Sequence, residues 1–119
     1  MSETKRKTMA ECIEDGVKLL DEKRPGWLEK IDLSRLRLDE HCNCVLGQCF
    51  GDYEEACGRL GLFAYRNEDE ASVSATQFGF MSNRLFRPVN DDIEYFEMPA
   101  LQEAWIRRLI QLKQERGIA

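Results

Sequence analysis

The amino-acid sequence predicts a mainly α-helical fold: a compact single-domain bundle of about three main helices, with short helical turns and one irregular segment. Three observations carry that expectation. Apolar residues recur at threefold and fourfold steps in three separate stretches, proline and glycine punctuate the chain where those stretches end, and the segments between them lack clean strand alternation. With 119 residues, 43% of them hydrophobic and 9% aromatic, the chain can build one core. The single domain is expected to cover residues 1–119, with 1–7 flexible and 63–97 irregular or loop-rich.

In the first stretch Met9, Ile13, Val17 and Leu20 form a stripe, with Cys12, Gly16 and Leu19 beside it and charges opposite, which predicts a helix over residues 8–23. Pro25 disfavours helical geometry at Arg24, and Gly26 adds a turn signal. Between 27 and 38 the apolar positions Trp27, Leu28, Ile31, Leu33, Leu36 and Leu38 are too irregular for one element, so short helical turns are expected there. Residues 45–62 then read as a second helix. Its apolar face holds Leu46, Cys49, Phe50, Tyr53, Ala56, Cys57 and Leu60, with Asn43 as N-cap and Gly61 as a left-handed stop. Gly47 and Gly51, four apart, suggest a tight crossing by another helix.

Residues 64–75 are polar and acidic and read as a connector. A short helical turn is expected over 71–77, ended by Gly79, and Phe80, Met81, Leu85, Phe86 and Val89 then supply apolar anchors without helical or strand periodicity. The third helix is expected over 98–116: Pro99 suits its first turn, Leu101, Trp105, Leu109 and Leu112 make its stripe, and Gly117 follows. Glu103 and Arg107 are placed to pair across one turn. Trp105 is expected in the core.

The formal net charge of −5 disfavours nonspecific binding to nucleic acid. Glu11, Glu14 and Asp15 follow Lys5, Arg6 and Lys7 too closely for a signal peptide, and no apolar run approaches the roughly 20 residues that span a bilayer. Five cysteines, an odd number without a secretory context, argue for reduced thiols in a cytoplasmic protein.

The most concentrated chemistry lies at 41–57, which holds the sole histidine and four of the five cysteines. His41, Cys42, Cys44 and Cys49 are the donors of a conceivable tetrahedral zinc site, although their spacing is not that of two separated chelating pairs. Cys49 and Cys57, eight apart on one intact helix, would stand about 12 Å apart along its axis and could not share an ion. Cys42 and Cys44 flank the expected helix N-terminus, where the dipole favours thiolate, but no orienting residue or oxyanion site can be named for a nucleophile. Neighbouring carboxylates such as Asp39 with Glu40, Glu54 with Glu55 and Asp91 with Asp92 read as solvated faces. Gly58 and Gly61 lack the context of a phosphate loop. Arg107, Arg108, Lys113 and Arg116 give the last helix a basic side, which Lys5 to Lys7 would extend into a patch for acidic partners if the termini lie together, but the macrodipole and a solvated surface explain these cations better.

The run Leu20-Asp21-Glu22-Lys23-Arg24-Pro25-Gly26-Trp27, then Ile31-Asp32-Leu33 with Leu36 and Leu38, then Cys42-Asn43-Cys44-Val45-Leu46-Gly47-Gln48 with Gly51, Tyr53, Leu60 and Gly61, resembles a family of small uncharacterised proteins encoded by actinobacterial phages and prophages. Cys49 departs from that pattern, where an aliphatic residue is usual, which leaves Cys42 and Cys44 as the shared pair. The resemblance implies a phage origin and a location in the host cytoplasm, and it transfers no catalytic residue. The expected function is therefore non-catalytic: binding to, and modulation of, a host or phage protein, with no membrane and no cofactor. Arg84, Phe86, Tyr95 and Phe96 in the irregular segment are the contact candidates. The rival is a zinc-binding or nucleic-acid-binding regulator built on the Cys42 and Cys44 cluster.

Overall fold

Thr8 fixes where the first helix begins. Its side chain accepts the Glu11 amide at 3.1 Å while Glu11 accepts the Thr8 amide at 2.9 Å, a capping box that satisfies two otherwise orphaned donors. The computed structural model describes residues 7–62, 78–80 and 97–118, and among them the elements are helical, with no strand. Helix α1 spans Met9–Lys23, α2 Val45–Phe50, α3 Tyr53–Leu60 and α4 Met98–Glu115. Two 3-10 turns, Trp27–Lys30 and Leu33–Arg35, fill the stretch where short helical turns are expected.

Helix α1 buries Cys12, Ile13, Gly16, Val17 and Leu20, and it stops at Arg24 before Gly26 swings to φ 84°. Helix α4 buries Leu101, Trp105, Leu109 and Leu112. Each such large side chain removed from water contributes roughly 1.5–3 kcal/mol. Two bidentate ion pairs lock α1 to α4. Arg108 grips Glu14 at 2.5 and 3.0 Å, and Arg116 grips Asp21 at 2.8 and 2.9 Å. Because the lower-numbered partner on α1 meets the lower-numbered partner on α4, the two helices run in the same sense.

Residues 78–80 wedge against both helices. Gly16 lets the Phe78 carbonyl in, since a Cβ there would lie 2.2 Å from that oxygen. Phe80 stacks on Trp105 with ring centroids 5.9 Å apart, and the indole N–H of Trp105 donates to the Gly79 carbonyl at 2.6 Å. Trp105 is wholly buried, as its stripe predicts, and so is Trp27. Gln102 reaches the N-terminal half of the chain, accepting the Leu38 amide at 2.8 Å and donating to the Leu36 carbonyl at 2.9 Å.

The helix expected over 45–62 is two helices. Gly51 adopts φ 100°, a conformation that suits only a residue without Cβ, and its amide closes α2 on the Gly47 carbonyl at 2.7 Å. Asp52 restarts the chain by accepting the amides of Glu54 and Glu55 at 3.0 and 3.2 Å. Gly51 is thus a stop, not a packing surface. Gly47 does admit a close backbone, but that of the turn before α2 instead of another helix: an added Cβ would lie 2.1 Å from the His41 carbonyl oxygen. The expected N-cap Asn43 instead donates its side-chain amide to Glu40 at 2.6 Å, and Cys44 takes the capping role.

Candidate functional site

The 41–57 stretch scatters its sulfurs through the fold. Cys42 is exposed in the turn before α2, whereas Cys44 at the start of α2, Cys49 on α2 and Cys57 on α3 are all buried, as is Cys12 on α1. All five are free thiols. The Cys44 sulfur accepts the Gly47 amide at 3.2 Å and lies 3.7 Å from the His41 carbonyl, to which its proton is directed. The Cys49 thiol is directed at the Trp27 carbonyl at 3.9 Å.

Burial decides the protonation of these groups. Loss of water around a thiolate pushes Cys44 up to about 11, in spite of the Gly47 amide that favours the charged form. The expected depression of this thiol at a helix N-terminus is therefore reversed, because desolvation outweighs what one short turn of amides returns. Burial likewise pushes Cys49 up to about 12 against the opposing charge of Arg24, and Cys57 up to about 11 against a hydrogen bond with Tyr53.

His41 sits at the surface with its ring 5.4 Å from that of Tyr53 and its Nδ1 4.0 Å from a Glu54 oxygen. Its carbonyl accepts the Tyr53 amide at 2.9 Å, which ties the turn to the start of α3. Of the four residues expected as zinc donors, His41 and Cys42 face solvent while Cys44 and Cys49 are inside and directed at backbone carbonyls. Among the described residues no three His, Cys, Asp or Glu side chains gather closely enough to hold a metal ion. The break at Gly51 also removes the single intact helix on which the separation of Cys49 from Cys57 was reckoned.

The basic side of α4 is spent on carboxylates. Arg107 pairs with Glu103 as the sequence predicts, Arg108 with Glu14, and Arg116 with Asp21, while Lys113 is largely buried. Lys7 reaches Asp15 at 2.6 Å, so it does not extend a free basic patch. Among the neighbouring acids, Asp39 pairs with Arg37 and Glu55 with Arg59. The contact candidates Arg84, Phe86, Tyr95 and Phe96, with Asp91 and Asp92, lie outside the described residues.

Three polar side chains that the sequence left unremarked do much of the joining. Asp21 accepts from the Trp27 indole at 2.8 Å as well as from Arg116. Gln48 accepts the Asp32 amide at 2.6 Å and donates to the Asp32 and Asn43 carbonyls at 3.2 and 3.0 Å. Arg24, read only as the end of α1, donates to the Cys49 carbonyl at 3.3 Å. The available signal was weak: each is one polar residue at a helix end or beside an apolar stripe.

No protein-family model, no curated protein and no solved structure matches this chain. No helix of the described residues is long and apolar enough to cross a membrane.

Proposed function

We propose that this chain is a small non-catalytic, phage-type protein that acts in the host cytoplasm by binding a host or phage protein and modulating it. One observation carries the proposal: the sulfur-rich stretch, the most concentrated chemistry in the sequence, is used to build the fold. Cys44 caps α2, Cys49 and Cys57 pack inside, and burial holds all three thiols well above the range in which a nucleophile works near neutral pH. The resemblance of roughly residues 10–62 to small phage proteins supplies the cellular setting.

The contact surface is assigned to Arg84, Phe86, Tyr95 and Phe96. Deleting the whole 64–97 segment would also remove Phe80 from beneath Trp105, so point substitutions make the cleaner test. Affinity capture from an actinobacterial host lysate is expected to recover one stoichiometric protein that a chain with all four residues changed to serine no longer retains. Recovery of nothing specific by the unaltered chain, or equal recovery by both, would overturn the proposal. Near-stoichiometric zinc in protein purified without added metal would favour the regulator instead.

A further inference from the structure

The C-terminal ends of α1, α2 and α3 border a surface cleft of about 390 Å³ lined by Lys23, Arg24, Cys49, Phe50, Arg59 and Leu60. That volume is within the range of small-molecule sites. Among the described residues three cations line it and no carboxylate does, in a chain whose net charge is −5. Arg24 is the organised member. It is half-buried, its Nε donates to the Cys49 carbonyl at 3.3 Å, and its guanidinium carbon lies 5.8 Å from the centroid of the Phe50 ring. Those two contacts hold the planar fork in place. Among the described residues its terminal nitrogens have no carboxylate, whereas Arg37, Arg59, Arg107, Arg108 and Arg116 each pair with one.

The helix ends themselves oppose an anion. Each carries roughly half a negative charge, so three of them offset about half of the charge of the three cations. Lys23 and Arg59 have local acids, Glu22 at 3.7 Å and Glu55 at 3.0 Å, but both pairs are exposed and correspondingly weak. They exchange readily for a ligand of higher charge. A fork with free terminal nitrogens suits two oxygens of one group, and two further cations suit a dianion over a single carboxylate.

We propose that this cleft binds a phosphate monoester: Arg24 grips two phosphate oxygens, Lys23 and Arg59 balance the second charge, and Phe50 and Leu60 receive the apolar part of the ester. The site does not rest on the partner-binding proposal, because none of the described residues that line it is a contact candidate of that proposal. Titration of the full chain at low ionic strength, followed through the arginine Nε–H signals in nitrogen–proton spectra, tests it with inorganic phosphate, phenyl phosphate and a phosphotyrosine peptide as probes. Phenyl phosphate is expected to shift the Arg24 signal saturably and to bind about tenfold more tightly than inorganic phosphate. Arg24→Gln should weaken it roughly tenfold or more. The exposed Arg59→Gln, which leaves the fold contacts of Arg24 alone, should weaken it about two- to threefold. Tighter binding of the peptide than of phenyl phosphate would identify the source as a phosphorylated protein, and equal or weaker binding a small molecule; either result sustains the site. No saturable shift of any arginine signal, or one affinity shared by the unaltered chain and both variants, would overturn it.

Discussion

The sulfur of Cys44 accepts the amide proton of Gly47 at 3.2 Å, so a thiol begins α2 where a hydroxyl or carboxylate oxygen is the usual cap. Replacing Cys44 by alanine strands that buried amide and is expected to cost about 1–3 kcal/mol. Cys44→Ser restores an oxygen acceptor and should lose less than alanine does. Urea unfolding of the two variants checks the order, and equal losses would show that the sulfur serves by filling space alone.

Native-state alkylation near pH 8 should modify Cys42 alone, since the other four thiols are buried. Mass spectrometry is expected to show one adduct on the folded chain and five after denaturation. The same burial gives stability a sign with pH. Unfolded thiols ionise near 9.0, but Cys44, Cys49 and Cys57 keep their protons to about 11, 12 and 11 when folded. The folded state therefore holds more protons above pH 9, and stability falls as pH rises from there towards 11–12. Triple replacement of these cysteines by alanine should flatten that alkaline fall.

Two glycines inside helices should respond to alanine in opposite directions. At Gly47 the new methyl meets the His41 oxygen at 2.1 Å and Cys42 backbone at 2.7 Å, so Gly47→Ala should destabilise by about 2–3 kcal/mol. At Gly58, within α3, nothing lies within 4 Å, and Gly58→Ala should stabilise by about 0.5–1 kcal/mol. Thermal melts of both variants would reveal a reversed order at once.

Asp21 bridges Trp27 and Arg116, and the Arg116 hydrogen bonds foremost hold its carboxyl below the ordinary value of 3.8. Asp21→Asn should cost about 1 kcal/mol at neutral pH, a figure discounted because both partners are 39% exposed. A depressed carboxyl stabilises the fold above its unfolded value and loses that contribution as pH falls through the folded one. The gap between the two proteins in urea titrations should therefore hold at neutral pH and shrink below about pH 4.

Helices α1 and α4 were legible because their stripes are long and their ends carry ordinary punctuation: Pro25 and Gly26 beyond one, Pro99 inside the other. The division between α2 and α3 was also written in the chain, as Gly51 followed by the capping Asp52, with Glu54 and Glu55 in the turn after it. The continuous apolar face across it masked that signal. Cys44 was not legible as a cap, because sulfur accepts weakly and Asn43 beside it is the better candidate by chemistry. Nor was the role of Gly16, whose missing side chain matters only once the Phe78 carbonyl arrives from 62 residues away. The arginine cleft escaped for the same reason: Lys23, Arg24 and Arg59 become neighbours only when three helix ends converge.

Helices pointing the same way cannot be joined by a hairpin, so after Lys23 the chain has to travel back along the length of α1 before Met98 can begin alongside it. The seam that results links residues 94 and 95 positions apart in the sequence. A helical protein of this size would ordinarily fold quickly through nearby contacts. Here the Glu14 to Arg108 join has a sequence separation of 94, and loop-closure entropy must be overcome before the two longest helices can zip together.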